Sequence, residues 1–362
     1  MPMQTGSPMI FLNLLAAALV ACLWWTLALG AVGLVLPRAR LAGRIVGAAI
    51  GLYWVAVASF EVLALLGLFR FEVVLPLGLL VPALLLRFYR GPLLESLRDL
   101  GGHTTNALAS RRHGVSTNPW LAGGLAILGL HLALRLARAV VTPSLGWDDF
   151  TYHLYRAGLW VQNGSLELQP SPDAWSYYEF FPRAGDIVWA WALVWRATDV
   201  LVPVFSILLW VLVALTGYVL ARSLNQSVEV ALIVALGVAL FPSQISLTTT
   251  AYVDNALLWL MLMASICVRH FEANNSKVDP TLAGGRQDMA TAWILGASVG
   301  LGTIVKLSFL PILGVAAFVA GWYSWRKRKV SLFLAFGLGA SIVLPNLVFN
   351  FIHRGSPLYP FR

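Results

Sequence analysis

Long apolar runs separated by short polar or basic connections dominate the chain from residue 9 to residue 351. Each run approaches the roughly 20 residues a helix needs to cross a bilayer. The pattern predicts an all-α polytopic membrane protein, a helical bundle of about ten transmembrane helices. The first run, 9–36, is too long for the core of a secretory signal and lacks a basic start, so it reads as a retained helix. Three such helices fill residues 1–90.

Connections rich in Lys and Arg belong on the cytoplasmic side. Four qualify: Arg38, Arg40 and Arg44; the stretch 91–118 with its flanks, carrying Arg87, Arg90, Arg98, Arg111 and Arg112; Arg269, Lys277 and Arg286; and Arg326 to Lys329. With all four inside, the helix over 119–141 runs outward, and residues 142–198 form the first extracytoplasmic loop. Between Thr142 and Asp186 that loop has six acids (Asp148, Asp149, Glu167, Asp173, Glu179, Asp186) and two bases (Arg156, Arg183), against a whole-chain balance of +9. It is rich in aromatic residues that suit the headgroup level, and long loops carry function. Parity requires one of the next three apolar segments not to cross. The shortest, 184–196, holds Asp186 and ends on Arg196, so it reads as a juxtamembrane helix at the outer surface, anchored by Trp189, Trp191 and Trp195. Residues 354–362 read as the start of another outer loop, which makes the 119–362 unit C-terminally incomplete.

Composition narrows the function classes. Hydrophobic residues make up 59% and charged residues 11% of the 362, so the positive balance reflects topology and no nucleic-acid partner is expected. Cys22 and Cys267 lie in separate spans, which argues against a disulfide framework or a cysteine metal site. Phosphate-loop, dinucleotide and His-Glu-x-x-His motifs are all absent from the sequence.

The chemistry-bearing residues gather at one predicted face. Asp148 and Asp149 stand where the helix 119–141 ends. Two carboxylates about 4 Å apart repel by about 4 kcal/mol at an effective dielectric near 20, which favours one of them as a general base. Neighbouring side chains diverge, so one of the two is expected to face substrate. Asp254 opens a span, where a carboxylate also meets the positive end of the helix dipole. Lys306 interrupts an apolar stretch, an expensive place for a cation unless it snorkels or holds an anion. Arg135 and Arg138 share a helix face near its outer end, as snorkelling residues or as a grip on lipid phosphate. His153, like His131, fits a structural histidine as well as a ligand. Asn163-Gly164-Ser165 matches a glycosylation acceptor. Gly43, Gly47 and Gly51, and Gly296 with Gly300, permit close helix contact.

The segment Trp147-Asp148-Asp149-Phe150-Thr151-Tyr152-His153-Leu154, followed by Asn163-Gly164-Ser165-Leu166, resembles the first outer loop of the GT-C glycosyltransferases. These include protein O-mannosyltransferases and the lipid A aminoarabinose transferase. The likeness continues in Tyr177 to Pro182, Tyr252 to Leu257, Gly302 to Lys306 and Gly355 to Phe361. It implies that Asp148 is the catalytic base and Asp149 its companion acid. By the same likeness Asp254 and Lys306 lie near the donor phosphate, with Tyr152, His153, Arg135 and Arg138 as further substrate-binding residues. The expected activity is inverting transfer of a sugar from a polyprenyl-phosphate donor to a glycan, lipid or protein acceptor at the extracytoplasmic face of the cell membrane. No cofactor is required by these residues, although the acids leave room for a divalent metal. A transporter or flippase of lipid-linked saccharides, or a noncatalytic membrane subunit, is the competing reading; a transporter would place its polar groups near mid-bilayer.

Overall fold

The computed structural model describes all residues except 1–6, 38, 40, 117, 145, 167–175, 197–198, 276–281 and 360–362. Of the charges used above to orient the chain, Arg38, Arg40, Glu167, Asp173 and Lys277 lie outside the described residues. In chain order the helices are α1 (Ser7–Val35), α2 (Leu41–Leu65), α3 (Phe71–Ser116), α4 (Pro119–Val141), α5 (Leu154–Asn163), α6 (Ala184–Leu193), α7 (Leu201–Ser223), α8 (Val228–Ala239), α9 (Pro242–Ser246), α10 (Asp254–Asn275), α11 (Leu282–Val305), α12 (Leu310–Lys327), α13 (Val330–Ala340) and α14 (Leu344–Arg354). Among the described residues there is no strand, and nine helical segments are long and apolar enough to cross a membrane. The protein is an all-α polytopic membrane protein.

The crossing expected at 228–241 is the exception. At 12 residues α8 rises only about 18 Å. The chain nevertheless retraces α7. Trp210 Nε1 donates to the Ala239 carbonyl at 2.8 Å, and beyond α9 Ser206 Oγ donates to the Leu247 carbonyl at 2.8 Å.

α2, α6, α7, α10 and α11 enclose the core, with Trp189, Trp210, Trp259 and Phe60 fully buried. α1, α3 and α4 lie outside it, presenting apolar side chains outward as membrane helices do. α11 is the most enclosed span and packs on α13 through its glycines. A methyl at Gly296 would run into the Phe336 carbonyl, and one at Gly300 would stand 3.0 Å from Ala340 Cα. The other glycine series behaves differently: a methyl added at Gly51 would meet nothing within 4 Å, and one at Gly43 would meet only Ala39.

Two expectations are corrected. Residues 91–116, read as a basic loop, continue α3 as a helix, kinked at Tyr89 (φ −110°, ψ 16°). Pro92 accounts for the kink, since its ring and missing N–H disturb the preceding turn. Secondly, 184–196 does not lie on the surface. α6 is packed among α2, α5, α7 and α11, its Trp189 and the following Trp195 are buried, and Trp191 Nε1 donates to the Ala56 carbonyl at 2.9 Å. These tryptophans fill the interior instead of anchoring an interface.

Contacts at helix ends give the bundle a polarity. Arg44, in the first turn of α2, donates to the Pro37 and Ser96 carbonyls at 2.9 and 3.1 Å, whereas Glu61 near the other end pairs with Arg183. α10 starts at Asp254 beside Lys306 and ends where Asn274, Asp288 and Lys327 meet. One end of the bundle therefore collects acids and aromatics, and the other collects most of the bases.

Candidate functional site

The site forms where α4 releases the chain. Thr142 closes the helix by donating its N–H and hydroxyl to the Arg138 carbonyl, both at 2.9 Å. Thr142 itself is extended, and Asp149–His153 form a wide π turn that continues as α5.

Asp149 is fully buried and its carboxylate is occupied. Oδ1 accepts from the Ala251 N–H at 2.8 Å, and Oδ2 accepts from the Gly146 N–H at 2.8 Å and lies 2.5 Å from Ser144 Oγ. A Cβ at Gly146 would stand 2.8 Å from both that carboxylate and the Tyr252 ring, so glycine is required there. Asp149 is thus a staple between the first outer segment and the entry to α10.

Asp148, one residue earlier, points elsewhere. It is half-buried, and Tyr152 Oη donates to its Oδ2 at 3.4 Å. The Tyr152 ring stacks on Tyr178 (4.8 Å between centroids, 7° between planes) and meets Phe181 edge-on at 5.7 Å. Burial, reinforced by the negative charges of Asp148 and Asp186, pushes the Tyr152 phenol well above its ordinary range. It stays protonated and remains a donor.

His153 faces inward. Its Nδ1 is 2.5 Å from Asp186 Oδ1, and the ring is buried. Arg156 grips the other carboxylate oxygen through Nε at 2.6 Å and through Nη2. The same guanidinium donates to the carbonyls of Tyr178 (2.7 Å), Phe181 (3.0 Å) and Pro182 (2.9 Å). In sequence, Arg156 and Asp186 read only as loop charges. The available signal was Asp186 itself, an acid in an apolar run, which marks a buried partner.

Asp254 and Lys306 meet at the same end, with Lys306 Nζ 3.4 Å from Asp254 Oδ1 and both side chains about half exposed. Lys306 is extended (φ −155°, ψ 123°) and breaks the helix between α11 and the short turn Leu307–Phe309 that precedes α12. The break lifts the cation out of the apolar run. Asp254 is three positions beyond Ala251, whose N–H holds Asp149, so the Cα atoms of Ala251 and Asp254 are within about 11 Å. Arg135 is half-buried and Arg138 exposed on α4, two turns and one turn before Thr142 respectively; among the described residues neither pairs with the acids. Asn163, matched to a glycosylation acceptor, has a buried amide nitrogen. Among the described residues no three His, Cys, Asp or Glu side chains gather as a metal site would require.

Residues 193–354 match the family model described as dolichyl-phosphate-mannose-protein mannosyltransferase. The match supports a GT-C membrane glycosyltransferase. The matched region includes Asp254 and Lys306 and begins after the acid pair, Tyr152 and the Arg156–Asp186 cluster. No curated protein and no solved structure matches the chain.

Proposed function

We propose that this protein is a membrane glycosyltransferase that moves a sugar from a polyprenyl-phosphate donor to an acceptor hydroxyl or amine at the extracytoplasmic face, with inversion at the anomeric carbon. The observation that carries the reading is the division of labour at one bundle end. Among the described residues, Asp148 keeps a carboxylate that no backbone amide occupies, while Asp149 beside it is spent on three donors, and Lys306 stands half exposed next to Asp254.

Asp148 takes the acceptor proton as the acceptor oxygen or nitrogen attacks the anomeric carbon, and the bond to the phosphate oxygen breaks on the opposite side. Lys306 neutralises the charge that builds on the departing lipid phosphate, an electrostatic role that needs no movement during reaction. Asp254 holds Lys306 in place. The aromatic wall of Tyr152, Tyr178 and Phe181 offers faces for a sugar ring. A donor anchored in the bilayer accounts for a catalyst built from membrane helices. Clustering at one end, away from mid-helix, favours transfer over transport.

The test is release or transfer of labelled sugar from polyprenyl-phosphate mannose, glucose and arabinose by purified protein in lipid nanodiscs. Wild type is expected to turn over at least one donor, and Asp148→Asn to lose at least about 100-fold in kcat, in line with loss of a general base. Full turnover by folded Asp148→Asn would remove the assigned base.

A further inference from the structure

Glu61 lies on α2, far upstream of the region matched by the family model, yet its side chain reaches the candidate site. It is 4% exposed, and its carboxylate oxygens lie 3.2 and 3.3 Å from Arg183 Nη2. A carboxylate inside an apolar span is expensive, so this position is built for a partner. Arg183 is also buried, its guanidinium 4.4 Å over the Phe349 ring, and its Nε and Nη1 have no hydrogen-bond partner among the described residues. Burial pulls the Arg183 pKa below its ordinary value, and Glu61 opposes that pull.

We propose that Glu61 is a positioning residue for the transfer reaction: by holding Arg183 it fixes the segment 178–183, whose carbonyls clasp Arg156 beneath the Asp148 turn. The proposal rests on the reading of Asp148 as the base. The chain of contacts is continuous. Tyr178, Phe181 and Pro182 accept from Arg156, Arg156 and His153 share Asp186, and His153 follows Tyr152, which donates to Asp148. The segment is therefore strung between two arginines, one held by Asp186 from within and the other by Glu61 from α2. Without Glu61, Arg183 is a buried cation lacking its counter-charge, and the segment must shift to rehydrate it. That shift opens the clasp and moves Asp148, while Lys306 and Asp254, at the ends of α11 and α10, stay in place. Geometry of proton removal suffers, and donor binding does not.

The experiment pairs hydrogen exchange with kinetics on the full chain in nanodiscs, using Glu61→Gln, Glu61→Asp and the double variant Glu61→Gln/Arg183→Gln. The double variant removes both charges together and keeps a foldable protein if Glu61→Gln alone unfolds. Expected for Glu61→Gln is faster amide exchange in 148–156 and 178–186 with α12 unchanged. With the same labelled donors, kcat falls about 10- to 100-fold, as for a displaced catalytic group, while donor KM stays within about 2-fold. Glu61→Asp restores part of kcat, and the double variant, which has no unpaired cation to rehydrate, loses less than Glu61→Gln alone. Unchanged exchange in 178–186 overturns the proposal, as does faster exchange with kcat unaltered, which marks a purely structural pair. A wild-type protein that turns over none of the donors refutes the proposed function instead. In that event exchange alone decides whether Glu61 holds the segment.

Discussion

Asp148 and Asp149 are the same residue type at consecutive positions, and nothing local in the sequence separates them. What separates them is where the donors stand. Ser144 and Gly146 lie just upstream, but the Ala251 N–H comes from 102 residues away, so the assignment of one acid to structure was not legible without the fold. Asp149→Asn can keep at most one carboxylate-like oxygen for three donors. Leaving a buried donor unmet costs about 1–3 kcal/mol, so a clear drop in thermal midpoint is expected, whereas Asp148→Asn should leave the midpoint unchanged. Equal midpoints for the two variants would contradict the staple. Tyr152 supports a second prediction. Its phenol is held above its ordinary range by burial and two nearby acids, so it does not ionise as pH rises through about 8 to 10. Tyr152→Phe should lower kcat about 2- to 12-fold, the worth of one hydrogen bond, and leave any alkaline limb of the pH profile where it was. A limb that disappears in Tyr152→Phe would identify the phenol as the titrating group after all.

Periodicity and length located most of the helices, because an apolar run of membrane length admits few other structures. The errors came where packing overrides local appearance. The stretch 91–116 holds Gly, Pro and many charges, the composition of a loop, yet α3 continues through it after a kink. α6 has tryptophans spaced like interfacial anchors, yet it is buried because Asp186 is neutralised by Arg156 within the protein. The glycine spacings make the same point. Gly43, Gly47 and Gly51 look identical in kind to Gly296 and Gly300, but only the second pair sits under a neighbouring backbone. Gly296→Ala should therefore destabilise by at least the roughly 1–3 kcal/mol typical of overpacking, read as a fall in thermal midpoint in detergent. Gly51→Ala, with open space around it, should be neutral or slightly stabilising, since alanine is the better helix former. If both variants behaved alike, the α11–α13 contact would not be the tight crossing described.

At the scale of the molecule, loop charge and three-dimensional contact are independent lines of argument that meet. Counting bases placed Asp148, Asp149, Asp254 and Lys306 on one face; the helix-end contacts bring the same residues to one end of the bundle, opposite Asn274, Asp288 and Lys327. The outward orientation proposed for that end rests on the positive-inside rule alone, and it decides whether the proposed donor must first be flipped across the bilayer. Trp147, 75% exposed beside the acid pair, and Trp325, 72% exposed among the bases, report the two ends. In a background with Cys22 and Cys267 replaced by serine, Trp147→Cys should react with a membrane-impermeant maleimide on intact cells, and Trp325→Cys only after permeabilisation. The reverse pattern would turn the bundle over. Asp148 would then work on the cytoplasmic side, where a donor could be used where it is made, and the four basic connections would have to be explained by contacts within the protein or with anionic headgroups of the other leaflet.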